Sequence, residues 1–271
     1  MQPSETDGRR DAVLDLIVQS YIESAEPVGS RTISKRSELH LSPASIRNVM
    51  ADLEEQGYLG HPHTSAGRIP TEKGYRYWVD SLMRPVELSS SEKQLISKEL
   101  AGARTIPDLA ERVSKVISTL TENAALLYIK SLRRVSFLNQ VLEELVAAQR
   151  IGEFFEEEPG LFIEGFFRML EQPEFRDAMK IRRLLQAFEE KDEILQIFSR
   201  DLEEEGVQVH IGSENDFEEL EDVSLVVKDC YLGDVPIGGV AVLGPTRMRY
   251  PKVVSVVDYV ADTVSETMRR F

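Results

Sequence analysis

The chain has few of the residues that build disulfides, membrane spans and secretion signals. Cys230 is the single cysteine in 271 residues, which excludes an internal disulfide framework and is typical of proteins of the reducing cytosol. No run of about 18 apolar residues occurs, and residues 1–11 are polar, without the apolar stretch of a signal peptide. We therefore expect a cytoplasmic protein that does not span a membrane.

Histidine and the motifs of catalytic sites are also scarce. His61 and His63 could share one face of a strand, but two ligands are too few for a closed zinc site and no cysteine is near. No glycine-rich phosphate loop followed by Lys-Ser or Lys-Thr occurs. Neighbouring glutamates at 156–158 and 203–205 diverge from one another and indicate solvated faces. The sequence thus predicts no enzyme, no metal site and no cofactor.

Basic residues are fewer than acidic residues in the chain as a whole, but not in every segment. The net charge is −15, of which residues 1–84 carry −2 and residues 85–271 carry −13. Within residues 28–76, seven Lys or Arg outnumber five Asp or Glu. This one segment is suited to approach a polyanion, whereas the acidic remainder would repel one.

The first part of the chain predicts four helices and a short hairpin. Apolar spacing indicates helices over residues 9–24 and 30–36. A third helix begins after the capping residue Ser42 and ends at Gly57. Its apolar stripe consists of Ile46, Val49, Met50 and Leu53. Residues 58–69 then turn back as a hairpin, followed by a fourth helix.

The rest of the chain mixes helices with strands and predicts an α+β fold with a small antiparallel sheet. Predicted helices are 90–100, 108–120, 135–148, 161–170, 175–190, 193–205 and 250–271. Predicted strands are 124–129, 207–211, 224–231 and 235–243, the last two forming a hairpin. We expect a winged helix-turn-helix domain at 1–85, a linker helix region at 86–107 and a larger body at 108–271.

The third helix has the side chains expected of a recognition helix. Its apolar stripe faces inward, which leaves Ser45, Arg47 and Asn48 exposed near the N-terminal end, beside Ser42. Arginine can bond O6 and N7 of guanine together, and asparagine can do the same with N6 and N7 of adenine. We interpret this helix as one that enters the major groove of double-stranded DNA.

Further candidates for DNA contact flank this helix. Ser30 and Arg31 open the second helix, where backbone N–H groups and a guanidinium suit phosphates. The hairpin, in the place of a wing, adds His63, Thr64, Ser65 and Arg68. Contact with a base and contact with a phosphate remain equally open for Arg47 and Asn48. A winged helix that docks a protein is an alternative, because the local charge is close to neutral.

Two blocks of the sequence match a known family in the same order. The first contains Ser45-Ile46-Arg47-Asn48 and His63-Thr64-Ser65-Ala66-Gly67-Arg68-Ile69-Pro70-Thr71. The second contains Ile211-Gly212-Ser213-Glu214-Asn215 and Gly244-Pro245-Thr246-Arg247-Met248, followed by Tyr250. These motifs resemble the HrcA family of heat-inducible repressors, closely over 27–84 and moderately over 175–271.

The resemblance implies a transcriptional repressor of chaperone operons. Members bind an inverted-repeat operator called CIRCE, which geometrically requires a homodimer. Their C-terminal part is GAF-like, with an inserted dimerising segment. Their activity depends on a GroE-type chaperonin, and repression falls on heat shock when unfolded proteins occupy that chaperonin.

The middle of the chain departs from this pattern. Residues 130–172 are shorter than the resemblance leads us to expect, and they lack the strand-rich stretch that would complete the sheet. Two alternatives follow. One is a small-molecule or stress sensor whose GAF-like body binds a ligand. The other is a degenerate member that acts as an interaction module without binding DNA.

Overall fold

The computed structural model describes residues 5–36, 41–62, 67–129, 160–189 and 205–271. The helices predicted at 135–148 and 193–205 lie outside these described residues. None of the helices within the described ranges is long and apolar enough to cross a lipid bilayer.

The N-terminal part has the predicted order of helices and hairpin. Its elements are α1 (Glu5–Ser24), α2 (Ser30–Arg36), α3 (Pro43–Glu55), β1 (Leu59–Gly60), β2 (Ile69–Pro70) and α4 (Glu72–Tyr77). A π-helical turn, Trp78–Leu82, continues α4. Thr71 caps α4 by accepting a hydrogen bond from the Gly74 N–H at 3.0 Å. Gly57 ends α3 in the left-handed conformation, with φ of +79°, as the sequence predicted.

The remaining part combines helices with one sheet. Its helices are α5 (Ser90–Ala101), α6 (Ile106–Thr121), α7 (Phe166–Leu170), α8 (Ala178–Glu189) and α9 (Tyr250–Met268). Its strands are β3 (Ala124–Ile129), β4 (Gly160–Glu164), β5 (Gln208–Ile211), β6 (Val223–Leu232) and β7 (Val235–Pro245). Short 3₁₀ turns at Pro173–Arg176, Gly212–Asn215 and Glu218–Leu220 connect them.

Three sequence predictions in this part were wrong. The segment predicted as one helix at 161–170 consists of strand β4 followed by the short helix α7. β4 is a strand because it pairs with β3, and Gly165, with φ of +77°, separates it from α7. This strand also means that the shortened 130–172 segment does supply an edge to the sheet. In addition, α6 begins at Ile106 and not at 108, since Thr105 caps it.

The sheet is fully antiparallel, in the order β4-β3-β7-β6-β5. Its side chains alternate between two faces, so it divides two apolar cores. Leu127 and Val240 join the larger core with α5, α6 and α9, whereas Leu126 and Ala241 join a smaller core under α7 and α8. Gly238 lies where a Cβ would collide with the Tyr128 carbonyl, so the backbones of β3 and β7 pack closely at that glycine.

The larger core is continuous with the N-terminal helices. It includes Ile17 of α1, Ile46 of α3, Tyr75 of α4 and Val257 of α9, all of them buried. The helical N-terminal part therefore packs directly on the sheet-containing part.

Candidate nucleic-acid interface

Helix α3 divides into a buried face and an exposed face, as its spacing predicted. Ile46, Met50 and Leu53 are at most 4% exposed and pack into the core. Ser45, Arg47 and Asn48 are exposed. Within the part of the chain that the structure describes, Arg47 and Asn48 form no side-chain hydrogen bond or ion pair. Both side chains are therefore available to an outside partner.

The N-terminal end of α3 is organised by two serines. The Ser42 hydroxyl accepts a hydrogen bond from the Ser45 N–H at 3.1 Å, and the two hydroxyls lie 2.9 Å apart. Pro43 occupies the first turn, where its missing N–H costs no helical bond. The cap thus fixes the start of α3 and the position of both exposed hydroxyls there.

A groove of about 530 Å³ runs between α2, α3 and the hairpin. We call it the basic groove; it is lined by Pro27, Gly29, Ser30, Arg31, Arg47, Met50, His61, Gly67 and Arg68. The structure thus brings together Arg31, Arg47 and Arg68, which are far apart in sequence. His61 is an additional member; its sequence context favoured a surface or DNA-facing role over a metal site, but nothing local placed it beside Arg68.

The two candidates at the start of α2 have different environments. Arg31 is exposed and, among the described residues, has no ion-pair partner. Ser30 is buried, with 9% of its surface exposed. Arg31 therefore presents its guanidinium to the groove, whereas the Ser30 side chain contributes mainly to packing at the helix start.

Arg68 holds the hairpin to α3. Its Nε and Nη2 donate to the Glu54 carboxylate at 2.8 and 2.7 Å, and its Nη1 lies 3.0 Å from Nδ1 of His61. Its backbone also exchanges two hydrogen bonds with Val28, at 2.8 and 2.9 Å. The other hairpin candidates, His63, Thr64 and Ser65, lie outside the described residues.

The second sequence block does not line the basic groove. Arg76 of α4 donates to both carboxylate oxygens of Glu214, at 3.0 and 2.6 Å. The Ser213 hydroxyl donates to Glu72 at 2.6 Å. Tyr250 packs against the ring of Tyr75, with centroids 5.9 Å apart. These residues therefore join α4 to the sheet-containing part.

A polar cavity of about 590 Å³ lies between the ends of α1 and α6 and the turn after β7. Its side chains bond mainly to the protein itself: Asn123 donates to Thr121 O at 2.8 Å, and Gln172 donates to Asn123 Oδ1 at 3.1 Å. Arg247 is held by Glu174 and donates to Ile22 O at 2.8 Å. Several polar side chains of this cavity are therefore held by bonds within the protein.

Known proteins are similar in sequence to this chain over nearly its whole length. A family model described as the HrcA protein C-terminal domain matches residues 87–254. The heat-inducible transcription repressor HrcA of Geobacter sulfurreducens is 34% identical, with 96% of this chain and 97% of that protein covered. This chain belongs to the HrcA family.

Other HrcA proteins agree. The repressors of Syntrophobacter fumaroxidans and Symbiobacterium thermophilum are each 34% identical, and each comparison covers 98% of this chain. The alignment with the Syntrophobacter protein runs over 343 positions, more than the 271 residues here, so the relative has residues that this chain lacks. HrcA proteins are transcription repressors, which places this chain among DNA-binding regulators and not among enzymes.

A solved structure has the same fold. A crystal structure described as that of a hypothetical protein at 2.2 Å resolution superposes with a TM-score of 0.72 and 22% identity. The superposition covers 99% of both chains. The arrangement of the N-terminal helices on the sheet is thus shared by an experimentally determined structure.

Proposed function

We propose that this HrcA chain binds an inverted-repeat operator of the CIRCE type as a homodimer and represses chaperone genes until heat shock. The observation that carries the proposal is the pair Arg47 and Asn48, exposed and without partners in the described chain, at the capped start of α3. These two residue types can each read a base edge through two hydrogen bonds.

We assign residues 1–85 as a winged helix-turn-helix, 86–107 as a linker helix region and 108–271 as a GAF-like dimerisation body. Support for the first domain is the order of three helices, hairpin and fourth helix, with α3 as recognition helix and the hairpin as wing. Support for the body is its five-stranded antiparallel sheet with helices on both faces.

The charge distribution supports docking through the basic groove alone. Residues 28–76 have more basic than acidic side chains, while the whole chain carries −15. Arg31 and Arg47 line the groove without acidic partners in the described residues. DNA would be attracted to this face and repelled by the rest of the surface.

The proposal also includes the way in which repression is relieved, namely through a GroE-type chaperonin. It rests on family membership: the relatives are named heat-inducible repressors. If the chaperonin keeps part of the repressor folded, that folded fraction falls when unfolded proteins occupy the chaperonin during heat shock. Repression would then fall with it.

Fluorescence anisotropy of a labelled duplex with the inverted repeat, against a scrambled duplex of the same composition, tests the proposal at near-physiological salt. We expect tight binding to the repeat alone, with two chains bound per duplex at saturation. Equal binding to both duplexes, with and without added chaperonin, would exclude an operator-specific repressor. A single chain bound per repeat would exclude the homodimer.

A further inference from the structure

A bidentate ion pair holds helix α4 to the sheet-containing part. Arg76 Nε and Nη2 donate to the two oxygens of Glu214, and Nη2 also donates to the Val209 carbonyl of β5. Its Nη1 donates to Asp80 at 2.8 Å. A planar guanidinium bound on both edges allows little rotation of α4 about this point.

The acceptor side of this contact is itself rigid. Glu214 accepts the Ile211 N–H at 2.8 Å, which fixes its carboxylate on the 3₁₀ turn. The Ser213 hydroxyl donates to Glu72, one turn of α4 before Arg76. At Gly212, φ is +57° and a Cβ would collide with the Glu72 carboxylate, so glycine allows this close approach. We call Glu72, Arg76, Ser213 and Glu214 the α4 interface.

Aromatic packing anchors the same helix and the π-helical turn that continues it. Tyr250 is fully buried, and its ring contacts Tyr75 and Trp78 at centroid distances of 5.9 and 6.4 Å. Its hydroxyl donates to Thr246 O and shares a hydrogen bond with the Ser224 hydroxyl, both at 2.7 Å. Helix α4 and the π-helical turn after it are thus held to the body by both ionic and aromatic contacts.

The α4 interface shares no residue with the lining of the basic groove. It connects to α3 through Tyr58, whose carbonyl accepts the Thr71 N–H at 3.1 Å and whose own N–H donates to Leu53 O at 2.9 Å. A change at Arg76 or Glu214 would therefore act on α3 through this backbone connection, and it would remove no side chain that lines the basic groove.

In a homodimer, the body fixes where each α3 points. Each base pair added between two half-sites of B-DNA moves them apart by roughly 3.4 Å and rotates one relative to the other by roughly 35°. A rigid pair of recognition helices therefore matches only one spacing. We propose that Arg76 and Glu214 are positioning residues that set the half-site spacing the repressor accepts. The proposal rests on the proposed homodimer and its inverted repeat.

The test compares the parent, Glu214→Gln and Ser213→Ala on duplexes that differ in half-site spacing. Identical half-sites are separated by the natural spacing or by one or two base pairs more or less, and a further duplex has a single half-site. Glu99→Gln is the matched control, since Glu99 also pairs with an arginine, Arg112, at similar exposure but away from α4. Ser213→Ala serves as the milder second variant if Glu214→Gln folds poorly.

We expect Glu214→Gln to reduce the preference for the natural spacing by about fivefold or more, the effect of roughly 1 kcal/mol of lost restraint. Affinity for the single half-site should stay at the parent value, as should all ratios for Glu99→Gln. An unchanged spacing preference overturns the positioning role, and so does an equal loss on every duplex including the half-site. A parent that binds repeat and scrambled duplexes alike overturns the proposed function itself.

Discussion

At the scale of single residues, the arginines of the basic groove differ in charge compensation. Arg68 is paired with Glu54, whereas Arg47 has no acidic partner among the described residues. A guanidinium already bound to a carboxylate offers less net charge to a phosphate or base. Arg47 is therefore the stronger candidate for sequence recognition, and Arg68 combines any phosphate contact with holding the hairpin.

Replacing Arg47 or Asn48 with alanine should remove base recognition. We expect each variant to lose about 1–3 kcal/mol of affinity for the operator, because a two-bond contact to a base edge contributes that much. Binding to scrambled DNA should change far less. Anisotropy titrations on both duplexes measure this, with Arg112→Ala, an arginine of α6, as control. Parent-like operator binding by both variants would mean that α3 is not the recognition helix.

Neutralising Glu54 should strengthen binding to DNA of any sequence. Glu54→Gln removes the partner of Arg68 and makes its full charge available to a phosphate. We expect the slope of log affinity against log salt to steepen by up to about 0.9. Glu55→Gln removes the same charge from the neighbouring exposed position without releasing Arg68. Identical slopes in the two variants would contradict a phosphate contact by Arg68.

At the scale of elements, the hairpin is fitted closely against the turn between α1 and α2. A Cβ at Gly67 would lie 2.7 Å from the carbonyl carbon and oxygen of Pro27. Val28 and Arg68 form their backbone pair immediately beside it. The position of the hairpin beside α3 thus depends on the absence of a side chain at Gly67.

Gly67→Ala should displace the hairpin. We expect a loss of about 1–3 kcal/mol in the free energy of unfolding. The melting temperature should fall by roughly 2–4 °C per kcal/mol in a chain of this size, and operator affinity should fall with it. Gly60→Ala is the control, because its nearest neighbour would be 3.6 Å from the new Cβ. Equal melting temperatures of both variants and the parent would refute the close approach.

The start of α5 supplies a pH-dependent contribution to stability. Glu92 accepts hydrogen bonds from Lys252 of α9 and from the Ser89 hydroxyl and N–H, at 2.8 and 2.9 Å for the last two. These bonds, with that from Lys252 the largest effect, lower the pKa of Glu92 to about 2. A carboxyl with a depressed pKa stabilises the fold above its unfolded-state pKa, and this stability disappears as pH falls toward 2.

Glu92→Gln should therefore have its full cost at every pH above about 5, and this cost should shrink as the pH falls toward 2. We expect it to lower the free energy of unfolding by about 1 kcal/mol at pH 7, a typical capping contribution, and by progressively less between about pH 5 and pH 2. Urea titrations across this range measure the difference. Glu87→Gln, at a highly exposed glutamate paired with Lys93, is the control. A difference that is constant with pH would contradict the depressed pKa.

At the scale of the whole molecule, the N-terminal helices and the sheet share one core. Tyr75 of α4 and Trp78 of the π-helical turn contact the ring of Tyr250 of α9, so neither part buries its apolar face alone. A shared core predicts that both parts unfold together in one cooperative transition. The orientation of α3 is then a property of the whole chain.

Tyr250→Ala should separate the two parts. Truncation of this buried ring should cost about 3–5 kcal/mol and divide the calorimetric unfolding into two transitions. Tyr259→Ala, the same change in the same helix at a partly buried position, should leave one transition. A single transition in Tyr250→Ala would show that the α4 interface holds the parts together without the aromatic contact.

Local chemistry in the sequence was enough to determine the helices around α3 and the identity of its exposed side chains. Ser42, Thr71 and Gly57 act within a few residues of themselves, so capping and termination could be predicted without the fold. The HrcA resemblance, confirmed by the full-length comparisons, depended on the same short motifs.

Tertiary structure decided what depends on distant partners. Residues 161–164 are a strand because β3 lies beside them, although their spacing favours a helix. The Glu54–Arg68 pair, the place of His61 and the contact of Arg76 with Glu214 join residues that no local pattern relates. Strand pairing and ion pairs form where the fold brings groups within bonding distance, and sequence separation alone does not determine that distance.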